Sequence, residues 1–194
     1  MTTRTTSIGI FGGSFNPIHY GHIELAKQLL VQQQLDEVWF VVSPLNPFKQ
    51  QAEDLLSDKQ RWLLTETALA TEPRLRACDV EFHLPRPSYM WNTLQHLSQH
   101  YPTYRFTLLI GADNWLSFHK WAHWQSILDH YAIAIYPREG YPLQSESLPP
   151  GVTLVTTTRY PVSSTLIRSL VKQGASIRGM VPAAIETMVE SFYQ

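Results

Sequence analysis

Short runs of Ile, Val and Phe alternate along the chain with longer stretches whose apolar positions recur every three or four residues. Ile8–Phe11 and Glu37–Val42 have the character of strands, and Tyr20–Gln33 and Ser57–Ala70 that of helices. A third extended region, Leu75–Phe82, precedes a helix at Met90–His100. Strand Arg105–Ile110, a helical stretch Trp115–Leu128 and strand Ala132–Tyr136 follow, then strand Val152–Val155 and helices at Ser163–Lys172 and Pro182–Phe192. The strand runs are apolar on successive residues, the pattern of a parallel sheet buried on both faces.

The chain has 194 residues, 44% hydrophobic and 16% charged, enough for one domain with a substantial core. The expected fold is α/β: a single doubly wound, Rossmann-like domain over residues 1–194, with a mainly parallel sheet and helices on both faces. A formal net charge of −1 creates no general field for polyanions, so small molecules are expected as ligands and nucleic acid is not. Cys78 is the only cysteine, the first residues lack an apolar leader, and the longest apolar run, Val38–Val42, is about five residues. These features point to a soluble, cytoplasmic protein without a disulfide or a membrane span; a homo-oligomer is allowed.

Chemistry concentrates where the first strand meets the first helix, at Gly12-Gly13-Ser14-Phe15-Asn16-Pro17-Ile18-His19-Tyr20-Gly21-His22. Glycines let backbone N–H groups approach a phosphate, and the helix N-terminus behind them carries partial positive charge. His19 and His22, three apart at a helix start, project to the same side. Zinc is disfavoured as their partner: His19 is not followed by Glu in a His-Glu-x-x-His pattern, and Cys78 is distant. Neither the Gly-x-x-x-x-Gly-Lys-Ser/Thr loop nor Gly-x-Gly-x-x-Gly is present, which argues against a kinase-type NTPase or a dehydrogenase.

In a doubly wound sheet the first and fourth strands are neighbours, and ligands bind beyond their carboxyl ends. The fourth strand ends in Gly111-Ala112-Asp113-Asn114, so Asp113 is either a helix cap or a ligand or magnesium contact. Ser163, Ser164 and Thr165 open a late helix with Arg168 one turn on. Any one hydroxyl reads as a cap, but together with Arg168 they form a second phosphate cradle. Lys49, in the long loop after the second strand, is a solvated side chain or an added cation.

Together these segments resemble the bacterial nicotinate-nucleotide adenylyltransferases of the nucleotidyltransferase superfamily. The resemblance covers Gly12–His22, Pro44–Lys49, Pro87-Ser88-Tyr89 with Asn92-Thr93-Leu94, Gly111–Trp121, Tyr136-Pro137-Arg138 and Ser163–Arg168. It implies that Gly12, Gly13, Ser14, Phe15, Asn16, His19 and His22 face ATP phosphates, with His19 and His22 catalytic. Ser163, Ser164, Thr165, Arg168 and Lys49 would hold the triphosphate. Ser88, Tyr89, Thr93, Asp113, Trp121 and Arg138 would bind the mononucleotide, Trp121 by stacking on its pyridine ring. Three positions depart from the family pattern: Asn16 where many members have Asp, Met90 where many have Thr, and Glu139 where Pro commonly follows the Arg.

The implied reaction is attack of the mononucleotide 5′-phosphate on the α-phosphorus of ATP, with Mg2+ held mainly by ATP phosphates and no metal site built by the protein. A phosphate nucleophile is already an anion, so donors and cations suffice without a general base. The alternatives are nicotinamide mononucleotide as main acceptor, and a non-catalytic nucleotide sensor. Trp121 and Ser88-Tyr89 count against phosphopantetheine, and the retention of His19, His22 and Arg168 counts against a sensor.

Overall fold

A computed structural model of the chain describes residues 5–44 and 54–194. Its centre is a six-stranded sheet in the order β3-β2-β1-β4-β5-β6, with every pairing parallel. The strands are β1 (Thr6–Gly13), β2 (Glu37–Val42), β3 (Leu75–Cys78), β4 (Tyr104–Gly111), β5 (Ala132–Tyr136) and β6 (Val152–Leu154). The helices are α1 (Tyr20–Gln32), α2 (Asp58–Leu69), α3 (Met90–His100), α4 (Ala112–Leu116), α5 (Trp124–His130), α6 (Ser164–Lys172) and α7 (Ala183–Tyr193).

The alternation of side chains along each strand divides the core in two. Phe11, Val38, Phe40, Val42, Leu109, Ala134 and Tyr136 face α1, α2, α6 and α7. Ile8, Ile10, Trp39, Val41, Leu108, Ile110, Ile133 and Ile135 face α3, α5 and the short 3-10 turn Phe118–Lys120. Both faces are covered by helices, which is why the strands are apolar at successive positions. The chain leaves β1 toward β2 and returns from β3 to β4, so β1 and β4 pair, Ile10 against Leu108, at the reversal of strand order. The crevice between their carboxyl ends is the ligand position of such a sheet.

Local chemistry sets the element ends. Ser57 and Gln60 close a reciprocal capping box at the start of α2: Gln60 N–H donates to Ser57 Oγ at 3.3 Å, and Ser57 N–H to Gln60 Oε1 at 3.1 Å. Two glutamines on α1 act as a substitute strand for the segment after β6. Gln28 exchanges hydrogen bonds with the backbone of Thr158, Gln32 with that of Thr156. This contact carries the chain back across α1 and delivers the start of α6 to the end of β1.

Two expected elements differ. The extended region Leu75–Phe82 ends as a strand at Cys78; Val80–His83 form a 3-10 turn that tucks Glu81 inward, where it is 3% exposed. Its carboxylate finds partners there, as described below, and a continued strand would have left it without them. The stretch Trp115–Leu128 is three pieces rather than one helix: α4 stops at Leu116, Phe118–Lys120 is a 3-10 turn, and α5 begins at Trp124 after His123 at φ 56°. Breaking the helix lets Phe118 sink into the core while Trp121, in extended backbone, faces the crevice. No helix among the described residues is long and apolar enough to cross a membrane.

Candidate active site

The turn from Gly13 to His19 is built around one buried ring. Phe15 sits at φ 45°, a left-handed conformation that costs an ordinary side chain about 1–2 kcal/mol, yet it is 2% exposed. Its ring lies 5.8 Å from Phe11, 5.3 Å from Phe40 and 5.2 Å from His22, and this burial offsets the backbone cost. The Phe15 side chain is therefore packing, and only its backbone is available to a nucleotide. Asn16, 6% exposed, also spends its side chain internally. Its Oδ1 accepts from Leu56 N–H at 3.1 Å and from the Tyr193 hydroxyl at 2.6 Å, while Nδ2 donates to the Asp54 carbonyl at 2.8 Å.

His19 occupies the N-cap position of α1, but its ring does not cap the helix. The ring stacks on that of His22 at 3.7 Å between centroids and 25° between planes. A side chain at position 21 would bring its Cβ to 2.9 Å from the His19 ring and 3.2 Å from the Val162 carbonyl, so the tetrad needs glycine between its histidines. His19 is 5% exposed, and its Nδ1 has no hydrogen-bond partner among the described residues. Burial, with the field of Arg138, lowers its pKa to about 4. At neutral pH His19 is an uncharged imidazole with one ring nitrogen unsatisfied, a group ready to meet a phosphate oxygen.

The second cradle lies against the first. Ser163 accepts from Leu166 N–H at 3.1 Å and is a true N-cap of α6. Ser164 donates to the Pro17 carbonyl at 2.9 Å, and Arg168 Nη1 to the Asn16 carbonyl at 2.9 Å, so α6 is moored to the β1–α1 turn. Arg168 Nε has no partner among the described residues, and Thr165 is exposed. Lys49 lies outside the described residues.

On the other side of the crevice is a cavity of about 170 Å³, whose lining includes Gly12, Gly13, Ser88, Tyr89, Met90, Asn114, Lys120 and Trp121. This is below the ~300 Å³ usual for drug-sized ligands and suits one aromatic ring with a small substituent. A Cβ on residue 12 would come within 2.9 Å of Met90 Cε, so Gly12 lets Met90 lie across the cavity floor. Trp121 Nε1 is buried without a partner among the described residues. Thr93 is fully buried and reaches the site only through others, its hydroxyl donating to Glu81 at 2.9 Å.

Asp113 does not cap α4: the cap position is Gly111, with no side-chain bond. Its Oδ1 has no hydrogen-bond partner among the described residues and stands 3.7 Å from Arg138 Nε. Arg138 lies over the Tyr136 ring at 5.1 Å, half exposed, at the same end of the sheet. Among the described residues no group of three His, Cys, Asp or Glu could hold a metal ion. Asp113, ion-paired with Arg138 but with no hydrogen bond to Oδ1 among the described residues, suits a divalent ion that arrives with a nucleotide's phosphates.

Sequence reasoning missed the buried polar residues behind these loops. Arg61 and Glu81 are 0% and 3% exposed, and Ser43 lines the cavity. A signal for Arg61 was present, since it shares the buried stripe of α2 with Leu64, Thr65 and Ala68. A cation on an apolar face must find acceptors.

Residues 10–170 match the cytidylyltransferase-like family model. A probable nicotinate-nucleotide adenylyltransferase of Bacteroides fragilis is 46% identical over 180 residues, covering 93% of this chain and 89% of that protein. A protein of the same name from Cytophaga hutchinsonii is 43% identical over 187 residues, 95% of each chain. Among solved structures, the nicotinic acid mononucleotide adenylyltransferase of Plasmodium falciparum, complexed with NaAD, superposes with a TM-score of 0.77 at 18% identity, covering 96% of this chain and 94% of that one, a likeness of fold. On this similarity and on the turn and cradle described above, the chain belongs to the cytidylyltransferase-like family and, within it, groups with the nicotinate-nucleotide adenylyltransferases.

Proposed function

We propose that this chain transfers the adenylyl group of ATP to nicotinate mononucleotide, giving nicotinate adenine dinucleotide and pyrophosphate, as one cytoplasmic nucleotidyltransferase domain spanning residues 1–194. One observation carries the reading. The stacked His19–His22 pair and the Arg168-bearing start of α6 meet at one end of β1, and a ring-sized cavity with the unpartnered Trp121 Nε1 opens beside them.

A phosphate oxygen of the mononucleotide attacks the α-phosphorus, and the bond from that phosphorus to the pyrophosphate oxygen breaks. The nucleophile is already ionised, so the protein supplies position and charge. His22 and neutral His19 donate to oxygens of the reacting phosphate, the N–H groups of Gly13–Asn16 cradle its neighbours, and Arg168 and Lys49 favour the departing pyrophosphate. Arg138 and Asp113 face the mononucleotide, whose pyridine ring enters the cavity against Trp121. Asp113 would be the protein carboxylate to meet a divalent ion such as Mg2+ brought in by ATP, which would supply charge neutralisation on the phosphates.

The decisive experiment is pyrophosphate release from ATP and Mg2+ with a panel of mononucleotides, with the dinucleotide identified by mass. Turnover with nicotinate mononucleotide above all others supports the reading. Turnover chiefly with the amide reassigns the acceptor, and ATP binding without turnover with any acceptor would mean a sensor.

A further inference from the structure

Arg61 faces neither cradle nor cavity, yet it is the largest fully buried side chain among the described residues, and all five of its N–H groups are used. Nε donates to the Leu56 carbonyl at 3.1 Å. Nη1 donates to the carbonyls of Ser14 at 2.8 Å and Ser43 at 2.6 Å. Nη2 donates to the Pro44 carbonyl at 3.0 Å and to Asp58 Oδ1 at 2.6 Å. One nitrogen thus ties the turn after β1 to the end of β2, and a rigid planar group sets their separation.

The connection continues to the acceptor side. Ser43 gives its carbonyl to Arg61 and its hydroxyl to Glu81. Glu81 also accepts from Ser88 Oγ at 2.8 Å and Thr93 Oγ1 at 2.9 Å. Ser88 and Tyr89 are cavity wall, and Tyr89 is the N-cap of α3. A continuous set of buried and half-buried hydrogen bonds therefore runs from Ser14, in the phosphate turn, through Arg61, Ser43 and Glu81 to Ser88, in the mononucleotide pocket.

We infer that Arg61 is a positioning residue that registers the ATP-binding turn against the acceptor pocket, so that the attacking oxygen and the α-phosphorus are held in line although they sit on different loops. This rests on the adenylyl-transfer reading above. In-line transfer is sensitive to small displacements, a misplacement of about 1 Å costing on the order of 10²-fold in rate. A merely structural arginine would need acceptors, but not on the two turns that carry the two substrates.

The test uses Arg61→Lys, Arg61→Met and, as a control, Leu64→Ala, which removes a fully buried core side chain one turn along α2. Amide hydrogen exchange is followed in residues 13–16, 88–91 and 133–135. Arg61→Lys keeps the charge but has three donors on one nitrogen, so exchange at 13–16 and 88–91 should rise by about 10-fold or more with β5 unchanged. Arg61→Met should raise it further where it folds. In Arg61→Lys, kcat should fall by roughly 10²-fold while the Kd for ATP stays within about threefold. Leu64→Ala should lower the melting temperature yet keep kcat and leave exchange at 13–16 and 88–91 near the wild-type rate. Unchanged exchange at either segment in Arg61→Lys, or equal kcat losses in Arg61→Lys and Leu64→Ala, would overturn the inference. Should the wild type show no adenylyl transfer, the functional reading falls on that result, and the exchange data still decide whether Arg61 links the two turns.

Discussion

The hydroxyl of Tyr193, in the last turn of α7, donates to Oδ1 of Asn16 at 2.6 Å, joining residues 177 positions apart. With Leu56 N–H on the same oxygen and Nδ2 on the Asp54 carbonyl, the carboxamide is matched donor for acceptor. This bears on the family departure at this position. A carboxylate could accept the first two bonds but would set an oxygen against the Asp54 carbonyl. Asn16→Asp should therefore cost about 1–3 kcal/mol of stability at neutral pH, and Tyr193→Phe about 1 kcal/mol. Urea denaturation checks both; an unchanged midpoint for Asn16→Asp would show that the amide is not needed.

His22→Ala should lower kcat by roughly 10²-fold or more with the fold intact, the size expected for a preorganised donor to transition-state charge. His19→Ala should lose more of its activity through ATP affinity. Steady-state kinetics with circular dichroism on both variants separates the effects, and a near-normal rate for His22→Ala would remove that residue from the chemistry.

The buried, neutral state of His19 has a pH signature. Its folded pKa of about 4 lies below the ordinary 6.5, so between these values the unfolded chain binds a proton that the folded chain does not. Stability contributed by the neutral ring is full above about pH 6.5 and declines as pH falls toward 4, by on the order of 3 kcal/mol in all. Comparing urea midpoints of the wild type and His19→Gln from pH 7 to pH 4 tests this. The wild type should lose stability more steeply, and parallel profiles would mean that His19 titrates normally.

Arg168→Ala should weaken ATP far more than the mononucleotide, by about 1.5–3 kcal/mol for a lost charge-assisted contact. It also frees the Asn16 carbonyl, so some loss should appear in stability. Titration calorimetry with each substrate separately gives the partition, and a larger effect on the mononucleotide would exchange the two subsites.

The cavity should select the acid over the amide by at least ~10-fold in kcat/KM, about 1.4 kcal/mol, because backbone N–H groups near Tyr89 and Trp121 would meet a carboxylate's acceptors but an amide's own donors. Met90→Thr should sharpen the preference modestly by adding a hydroxyl, and Trp121→Ala should raise KM for the mononucleotide with ATP spared. Kinetics with both mononucleotides checks this; equal use by the wild type would make Met90 the mark of a changed specificity.

The amino-acid sequence by itself determined the layered fold and the places where chemistry gathers. Apolar runs such as Ile8–Phe11 and Val38–Val42 admit only a sheet covered on both faces, and a Gly-rich turn carrying His19 and His22 has a local role wherever the strand ends. Local patterns suffice for such features because strand period, helix period and turn chemistry are properties of neighbouring residues. Only the tertiary structure decided which turn residues use their side chains for ligands and which for the fold. Phe15 and Asn16 belong to the signature, yet both turn inward, while Arg61 and Glu81 sit within ordinary helix and strand patterns and prove to brace the site. The physical reason is that a buried polar group must be satisfied, and its partners come from distant segments: Tyr193 for Asn16, Ser14 and Ser43 for Arg61, Ser88 for Glu81. Those pairings exist only after β1, β2, α3 and α7 have come together around the sheet.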